Sequence, residues 1–236
     1  MSKLVFDIET IGMDWDSLDE TTQHNLSRWT EREARDEGDL NAKMKDLKEG
    51  LGFSPLTGEI VAIGVLDVEK DKGVVYYQSP DKQAEVIEEG NFKFKPGTEK
   101  EILENFWEGV KKYDEFISFN GRGFDVPFLM IRSAVHKIRA SKDLMSNRYL
   151  NSQRFNATHI DLFDQLSFYG AVRRRGSLHL YCNTFGIKSP KAEGVTGDDV
   201  QKLFQAKEYL KIAKYNSGDL KATKELYQVW EKYIKV

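Results

Sequence analysis

Five polar residues, set far apart along 236 positions, constrain this chain more than anything between them. Asp7 and Glu9 lie in Phe6-Asp7-Ile8-Glu9-Thr10, and Asp125 closes Phe119-Asn120-Gly121-Arg122-Gly123-Phe124-Asp125. Tyr215 precedes Asp219 in Tyr215-Asn216-Ser217-Gly218-Asp219. Acids drawn from such distant segments into one cleft usually have to be neutralised by metal.

Lys3 to Thr10 is an apolar run containing β-branched residues, which reads as a strand. Side chains on a strand alternate faces, so Asp7 and Glu9 project from one side while Leu4, Phe6 and Ile8 point the other way into a core. Val5 shares the acidic side one step earlier, which leaves the acids at the strand's carboxyl end, where α/β sheets present ligand sites. An isolated Asp-x-Glu would more often be an acidic strand end facing water.

Glu115 to Phe119 reads as a short buried strand, and Gly123 onward as the start of a helix. Asn120-Gly121-Arg122-Gly123 between them is a turn signature with two glycines available for positive φ. Asp125 therefore falls near a helix N-terminus, where Pro127 fits the first turn and the helix dipole favours an acid. Taken singly, Asp125 is an ordinary first-turn acid; the turn that places it beside a strand end is what sets it apart. The C-terminal stretch has helical apolar spacing (Leu203, Leu210, Ile212, Leu220, Leu226, Val229, Trp230, Ile234), with an interruption expected around Asn216-Ser217-Gly218. If the helix continues through it, Tyr215 and Asp219 stack on one face at i,i+4. Singly, they read as a buried tyrosine and a solvated acid.

In this order the three motifs resemble the ExoI, ExoII and ExoIII signatures of the DEDD superfamily of 3′–5′ exonucleases, in the branch whose third motif is Tyr-x-x-x-Asp. The likeness is to the proofreading exonuclease domain of family B DNA polymerases, and specifically to the small stand-alone exonucleases related to it. It runs from Leu4 to about Tyr227 and takes in Ser54 to Gly64 and His159-Ile160-Asp161-Leu162. A competing match is His159-Ile160-Asp161-Leu162-Phe163-Asp164, which satisfies the His-x-x-x-x-Asp pattern of the sister branch. Thr158 to Phe163 alternates like a strand, and residues at i and i+5 on a helix point well apart, so Tyr215 is preferred and His159 and Asp161 are read as structural.

The resemblance implies a metal-dependent 3′–5′ exonuclease acting on single-stranded nucleic acid, DNA favoured over RNA, with catalytic residues Asp7, Glu9, Asp125, Tyr215 and Asp219. The four acids would hold two divalent cations, Mg²⁺ or Mn²⁺, which suit hard oxygen donors. By the same likeness Asp7 bridges both ions, Glu9 and Asp219 help hold the one that activates water, and Asp125 serves mainly the other. Tyr215, with an ordinary pKa near ~10, is a poor base at neutral pH and is expected to orient the attacking water. Thr10, Asn120 and Phe124 are the expected substrate-binding residues. Proofreading or DNA repair is the implied setting, with the polymerase or repair partner left open. The alternatives are a non-catalytic nucleic-acid- or protein-binding module on the same fold, or an exoribonuclease that trims RNA.

Composition agrees with a single domain, 1–236, of α/β class: 40% hydrophobic and 31% charged residues, too short to hold a polymerase as well. Strands at Lys3 to Glu9, Glu59 to Glu69, Gly73 to Gln78, Glu115 to Phe119 and Thr158 to Phe163, with helices at Glu99 to Tyr113, from Asp125 and to the end, follow the order of the ribonuclease H-like fold. A mixed five-stranded sheet flanked by helices is expected. Thr98 and Glu101 form a capping-box pattern. Gly12 to Gly52 is a charged insertion whose Leu18, Leu26, Trp29 and Ala34 have helical spacing, which makes it a lid, a channel wall or a cover for apolar surface.

The formal net charge of −3 gives no global attraction for a polyanion. Arg173-Arg174-Arg175, Lys137, Arg139 and Lys142 can meet phosphates or belong to solvated loops. Phe124, Phe168, Tyr169 and Tyr181 are candidates for base stacking. The lone cysteine, Cys182, excludes an intrachain disulfide and reads as a packed thiol. No apolar run approaches the ~20 residues needed to span a membrane, and with an N-terminus that begins a strand rather than a signal peptide the expected location is cytoplasmic.

Overall fold

The chain builds a sheet in which an interior strand carries the first acidic pair and whose two faces are covered by different helices. In this computed structural model the described residues are 2–80, 84–174, 176–189 and 197–235. The strands are β1 (Lys3–Gly12), β2 (Gly58–Asp67), β3 (Lys72–Gln78), β4 (Ile87–Glu89), β5 (Phe92–Gly97), β6 (Glu115–Ser118) and β7 (Thr158–Asp161), arranged β4-β5-β3-β2-β1-β6-β7. β1 pairs antiparallel with β2 and parallel with β6; β6 and β7 are parallel, as are β3 and β5.

The mixed sheet is as expected, but it has seven strands among the described residues rather than five. The added pair is β4 and β5. β5 alternates in two-residue steps, with Phe92 and Phe94 buried and Lys93 exposed. Its pattern is short and ends in Pro96-Gly97, a turn signature by local rules. Proline is tolerated there because β4 pairs only with Phe92 to Phe94, so Pro96 lies beyond the stretch where that side of β5 needs donors. β7 ends at Asp161, and Phe163 belongs to the next helix, α5 (Leu162–Leu166).

On one face Leu4, Phe6 and Ile8 pack with Ile102, Leu103 and Phe106 of α3 (Glu99–Gly109) and with Val126, Phe128 and Leu129 of α4 (Asp125–Val135). Thr98 and Glu101 close the N-terminus of α3 as a capping box. On the other face Val5 joins Leu220, Leu226, Tyr227 and Trp230 of α8 (Tyr209–Tyr233). α8 is one continuous helix, so the interruption expected at Asn216-Ser217-Gly218 does not occur. Weak helix formers cost only about 0.5–1 kcal/mol each, and the buried residues on either side of them outweigh that.

The insertion is helical, with α1 (Glu20–Glu33) and α2 (Glu37–Glu49). It is tied back to β1 where the Thr10 hydroxyl donates to Gly52 O at 2.7 Å. Trp29 is 58% exposed, so the apolar spacing read there does not mark a buried face. Cys182, on α6 (Leu178–Phe185), is fully buried in the core shared with α8, and burial pushes its thiol up to about 11. α7 (Val200–Gln205) precedes α8. No helix among the described residues is long and apolar enough to cross a membrane.

Candidate active site

Asp7 and Glu9 leave β1 on the face that α8 covers, opposite Gly64 and Ala62 of β2. A register shift follows at once between Glu9 and Thr10, after which β1 stays paired with β2 through Gly12. Across the gap Tyr215 and Asp219 stand one turn apart on α8. One carboxylate oxygen from each of Asp7, Glu9 and Asp219 lies within 4.8 Å of the others. Asp125 lines the same cavity, and its Oδ1 accepts the backbone N–H of Ile8 at 3.0 Å, which fixes α4 against the middle of β1. The cavity, of about 240 Å³, is bounded by these five residues and by Ile8, Phe119, Asn120, Phe124, Ser177, Leu178 and His179.

The turn before Asp125 achieves its shape differently from the sequence expectation. The left-handed residue is Asn120, at φ 64°, while neither Gly121 nor Gly123 has positive φ. Gly121 is needed for space, since a Cβ there would come within 2.2 Å of Ser118 Oγ. Asp161 holds the turn by accepting the N–H groups of Asn120 and Arg122 at 2.8 and 2.9 Å. His159 is buried, its Nδ1 facing Leu144 O at 3.0 Å and its Nε2 facing Ser118 Oγ at 2.7 Å. Burial pulls its pKa down to about 4. Asp164 is paired with Arg148. His159 and Asp161 thus support the turn, and neither they nor Asp164 line the cavity.

Of the expected substrate-binding residues, Asn120 and Phe124 line the cavity, and Phe124 packs on Phe128 with ring centroids 5.0 Å apart. Thr10 is not part of the wall; its hydroxyl is engaged by the insertion. Two contributions were not read from the sequence. Ser177, Leu178 and His179 supply part of the cavity wall from the start of α6. Asn216, fully buried beside Tyr215, donates from Nδ2 to Asp7 Oδ2 at 2.8 Å, while its Oδ1 has no partner. It fits only because residue 64 is glycine: a Cβ there would sit 1.9 Å from Asn216 Oδ1.

Residues 56–235 match the family described as predicted 3′–5′ exonucleases related to the exonuclease domain of PolB, about three quarters of the chain. The chain belongs to this family. The match takes in Asp125, Tyr215 and Asp219 and begins after Asp7 and Glu9, so the acids of β1 join the exonuclease site by structure. Among solved structures, the family B DNA polymerase of the hyperthermophilic archaeon Pyrobaculum calidifontis is similar at a TM-score of 0.60 and 16% identity, over 98% of this chain and 24% of that one. At that identity the likeness shows the fold, and the exonuclease spans about a quarter of the polymerase's length. No curated protein matches its sequence significantly.

The exonuclease's acids repel one another. Burial, then the charges of Asp125, Asp219 and Glu9, holds Asp7 well above the usual carboxylate range, and burial followed by Asp219 and Asp125 does the same to Glu9. Burial raises Asp125 to about 7, against the pull of the Ile8 N–H. Burial, then the charges of Asp219, Glu9 and Asp7, pushes the Tyr215 phenol far above its ordinary value. Such a donor set, all oxygen and crowded with negative charge, suits a hard divalent cation.

Proposed function

We propose that this exonuclease hydrolyses the terminal phosphodiester at the 3′ end of single-stranded nucleic acid, DNA in preference to RNA, with divalent cations held by Asp7, Glu9, Asp125 and Asp219. The observation that carries the reading is the convergence of Asp7, Glu9 and Asp219 on one another in a cavity lined also by Asp125 and Tyr215. Four acids facing a polyanion would oppose binding unless cations intervene. When bound, two divalent cations supply positive charge to both the attacking and the leaving oxygen of the phosphoryl group.

The chain's own residues do the rest. Asn216 and the Ile8 N–H hold Asp7 and Asp125 in fixed orientations, so little reorganisation is left for the reaction. Burial and the neighbouring acids favour the protonated phenol of Tyr215, whose side chain hydrogen-bonds Asp219, and its role in this proposal is to orient the attacking water. Phe124 and Asn120, which line the same cavity, are the residues assigned to contact the terminal nucleotide.

The test is degradation of 5′-labelled single-stranded DNA and RNA of matched sequence with Mn²⁺, Mg²⁺ or chelator. Wild type should give a cation-dependent ladder shortening from the 3′ end, DNA faster than RNA. Asp7→Ala should abolish it, and Tyr215→Phe should lower kcat by about 10²–10³-fold, the range for loss of one positioned hydrogen-bond donor. Binding without cleavage of either polymer would refute the proposal in favour of a binding module.

A further inference from the structure

Between α5 and α6 the backbone does something aromatic residues rarely do. Phe168 and Tyr169 are consecutive, and both are left-handed, at φ 50° and 55°. For bulky side chains that region is strained, and strain persists only where surrounding contacts over-determine it. The contacts are present. The Ser167 carbonyl accepts the N–H groups of Gly170 and Val172, both at 3.0 Å, and the Phe168 carbonyl accepts that of Ala171 at 3.3 Å. The Tyr169 hydroxyl accepts a hydrogen bond from Gln165 at 2.9 Å, and its ring lies 4.8 Å from that of Tyr149. Arg148, anchored to Asp164 through Nε at 2.9 Å, stands over the same ring.

The effect of holding this turn is to keep rings in solvent. Phe168 is 59% exposed and Tyr149 57%, with Arg173 and Arg174 exposed just beyond; Arg175 lies outside the described residues. Hydrophobic burial does not explain a strained conformation that leaves the phenyl ring outside.

The turn is tethered to the cavity wall through the chain on both sides. α5 begins at Leu162, and the Phe163 ring meets Phe119 of the cavity wall edge-on, 5.7 Å between centroids. On the return path Ser177 of the wall is seven residues from Gly170, so the turn lies within about 25 Å of it even were that stretch fully extended. Taking the cavity as the hydrolytic site, we infer that Phe168, Tyr169 and Tyr149, flanked by Arg148, Arg173 and Arg174, form a stacking platform for bases of the single strand upstream of its 3′ end. Ring faces are what a sequence-tolerant single-strand binder presents, and arginines beside them meet the backbone. On a chain of net charge −3, attraction for a polyanion has to be local in this way.

The experiment measures binding of 5′-fluorescein-labelled dT12 and dT3, and of the matching uridine oligomers, with Ca²⁺ in place of Mg²⁺ or Mn²⁺ by anisotropy, together with Mg²⁺- or Mn²⁺-dependent hydrolysis of thymidine 5′-(p-nitrophenyl phosphate). Phe168→Ala and Tyr149→Ala should each weaken dT12 binding roughly 5- to 100-fold, the scale of one lost base stack. Binding of dT3 and hydrolysis of the ester, which need only the cavity, should not change. Phe168→Gly is decisive because glycine accepts positive φ freely: it should melt at or above the wild-type temperature while binding dT12 as weakly as Phe168→Ala. A lower melting temperature with unchanged dT12 binding would make Phe168 a structural residue and overturn the platform, as would failure of the wild type to bind dT12 more tightly than dT3. A wild type that binds dT12 through Phe168 yet hydrolyses neither ester nor oligomer would overturn the proposed function and leave the platform standing.

Discussion

Gly64→Ala tests how the acids of β1 are held. An added Cβ would lie 1.9 Å from Asn216 Oδ1, 3.0 Å from its Cγ and 2.6 Å from Leu220 Cδ1. The Leu220 methyl can rotate away; the Asn216 amide is pinned by its bond to Asp7, and α8 is buried on both sides of it. Overpacking costs about 1–3 kcal/mol, and an Asn216 amide driven off Asp7 while still buried costs a further ~1–3. The lower entropy of alanine in the unfolded chain returns about 0.4–1. The sum is a loss of about 3 kcal/mol, or a fall in Tm of roughly 6–12 °C for a chain of this size. Urea denaturation measures the stability, and titration calorimetry with Mn²⁺ reads whether Asp7 is still in place, with affinity expected to fall about tenfold. Asn216→Ala added to Gly64→Ala removes the shortest contact, so the double variant should be at least ~1 kcal/mol more stable than additivity predicts. Gly64→Ala within ~0.5 kcal/mol of wild type and with full Mn²⁺ affinity would refute the reasoning.

Three further outcomes are expected. Asp7, Glu9 and Asp125 all hold their protons more tightly folded than unfolded, so their contribution is full below the ordinary carboxylate range and is lost as pH rises, through about 7 for Asp125. Scanning calorimetry of metal-free protein should therefore show a falling Tm between pH 5.5 and 8, and Mn²⁺ should raise Tm more at pH 8 than at pH 5.5; an equal shift at both would count against a carboxylate site. Glu99→Gln should destabilise by about 3–5 kcal/mol in urea, because buried Glu99 is bound by Arg132, His136 and the Ile60 N–H, and Arg132 would be left buried without its counter-charge; a loss below ~1 kcal/mol would contradict that. Asp161→Ala, which strips the acceptor from the Asn120 and Arg122 N–H groups, should lower kcat with little change in Mn²⁺ affinity, and an unchanged kcat would show that the turn holds its shape without it.

What the sequence revealed follows from the range of the interactions involved. Asp7 and Glu9 were legible because strand alternation is local, and Tyr215 with Asp219 because helical spacing is. Asn216 was not, for by local rules an asparagine next to Ser217-Gly218 reads as a helix breaker. Its place depends on the absence of a side chain at Gly64, on a strand the sequence cannot show to lie against it. β5 was missed because two buried phenylalanines alternating with lysines, ended by Pro-Gly, weigh no more than a turn until β3 pairs with them. The left-handed pair at Phe168 and Tyr169 runs against every local preference and can be seen only in the folded backbone.

The bond from Asn216 to Asp7 joins residues 209 positions apart. β1 precedes α8 in the chain, so during synthesis Asp7 and Glu9 emerge before Tyr215 and Asp219. Until α8 is made the chain carries Asp7, Glu9 and Asp125 but neither Tyr215 nor Asp219. The four acids can meet only once α8 has docked, and the same docking buries Leu220, Leu226, Tyr227 and Trp230 against the sheet.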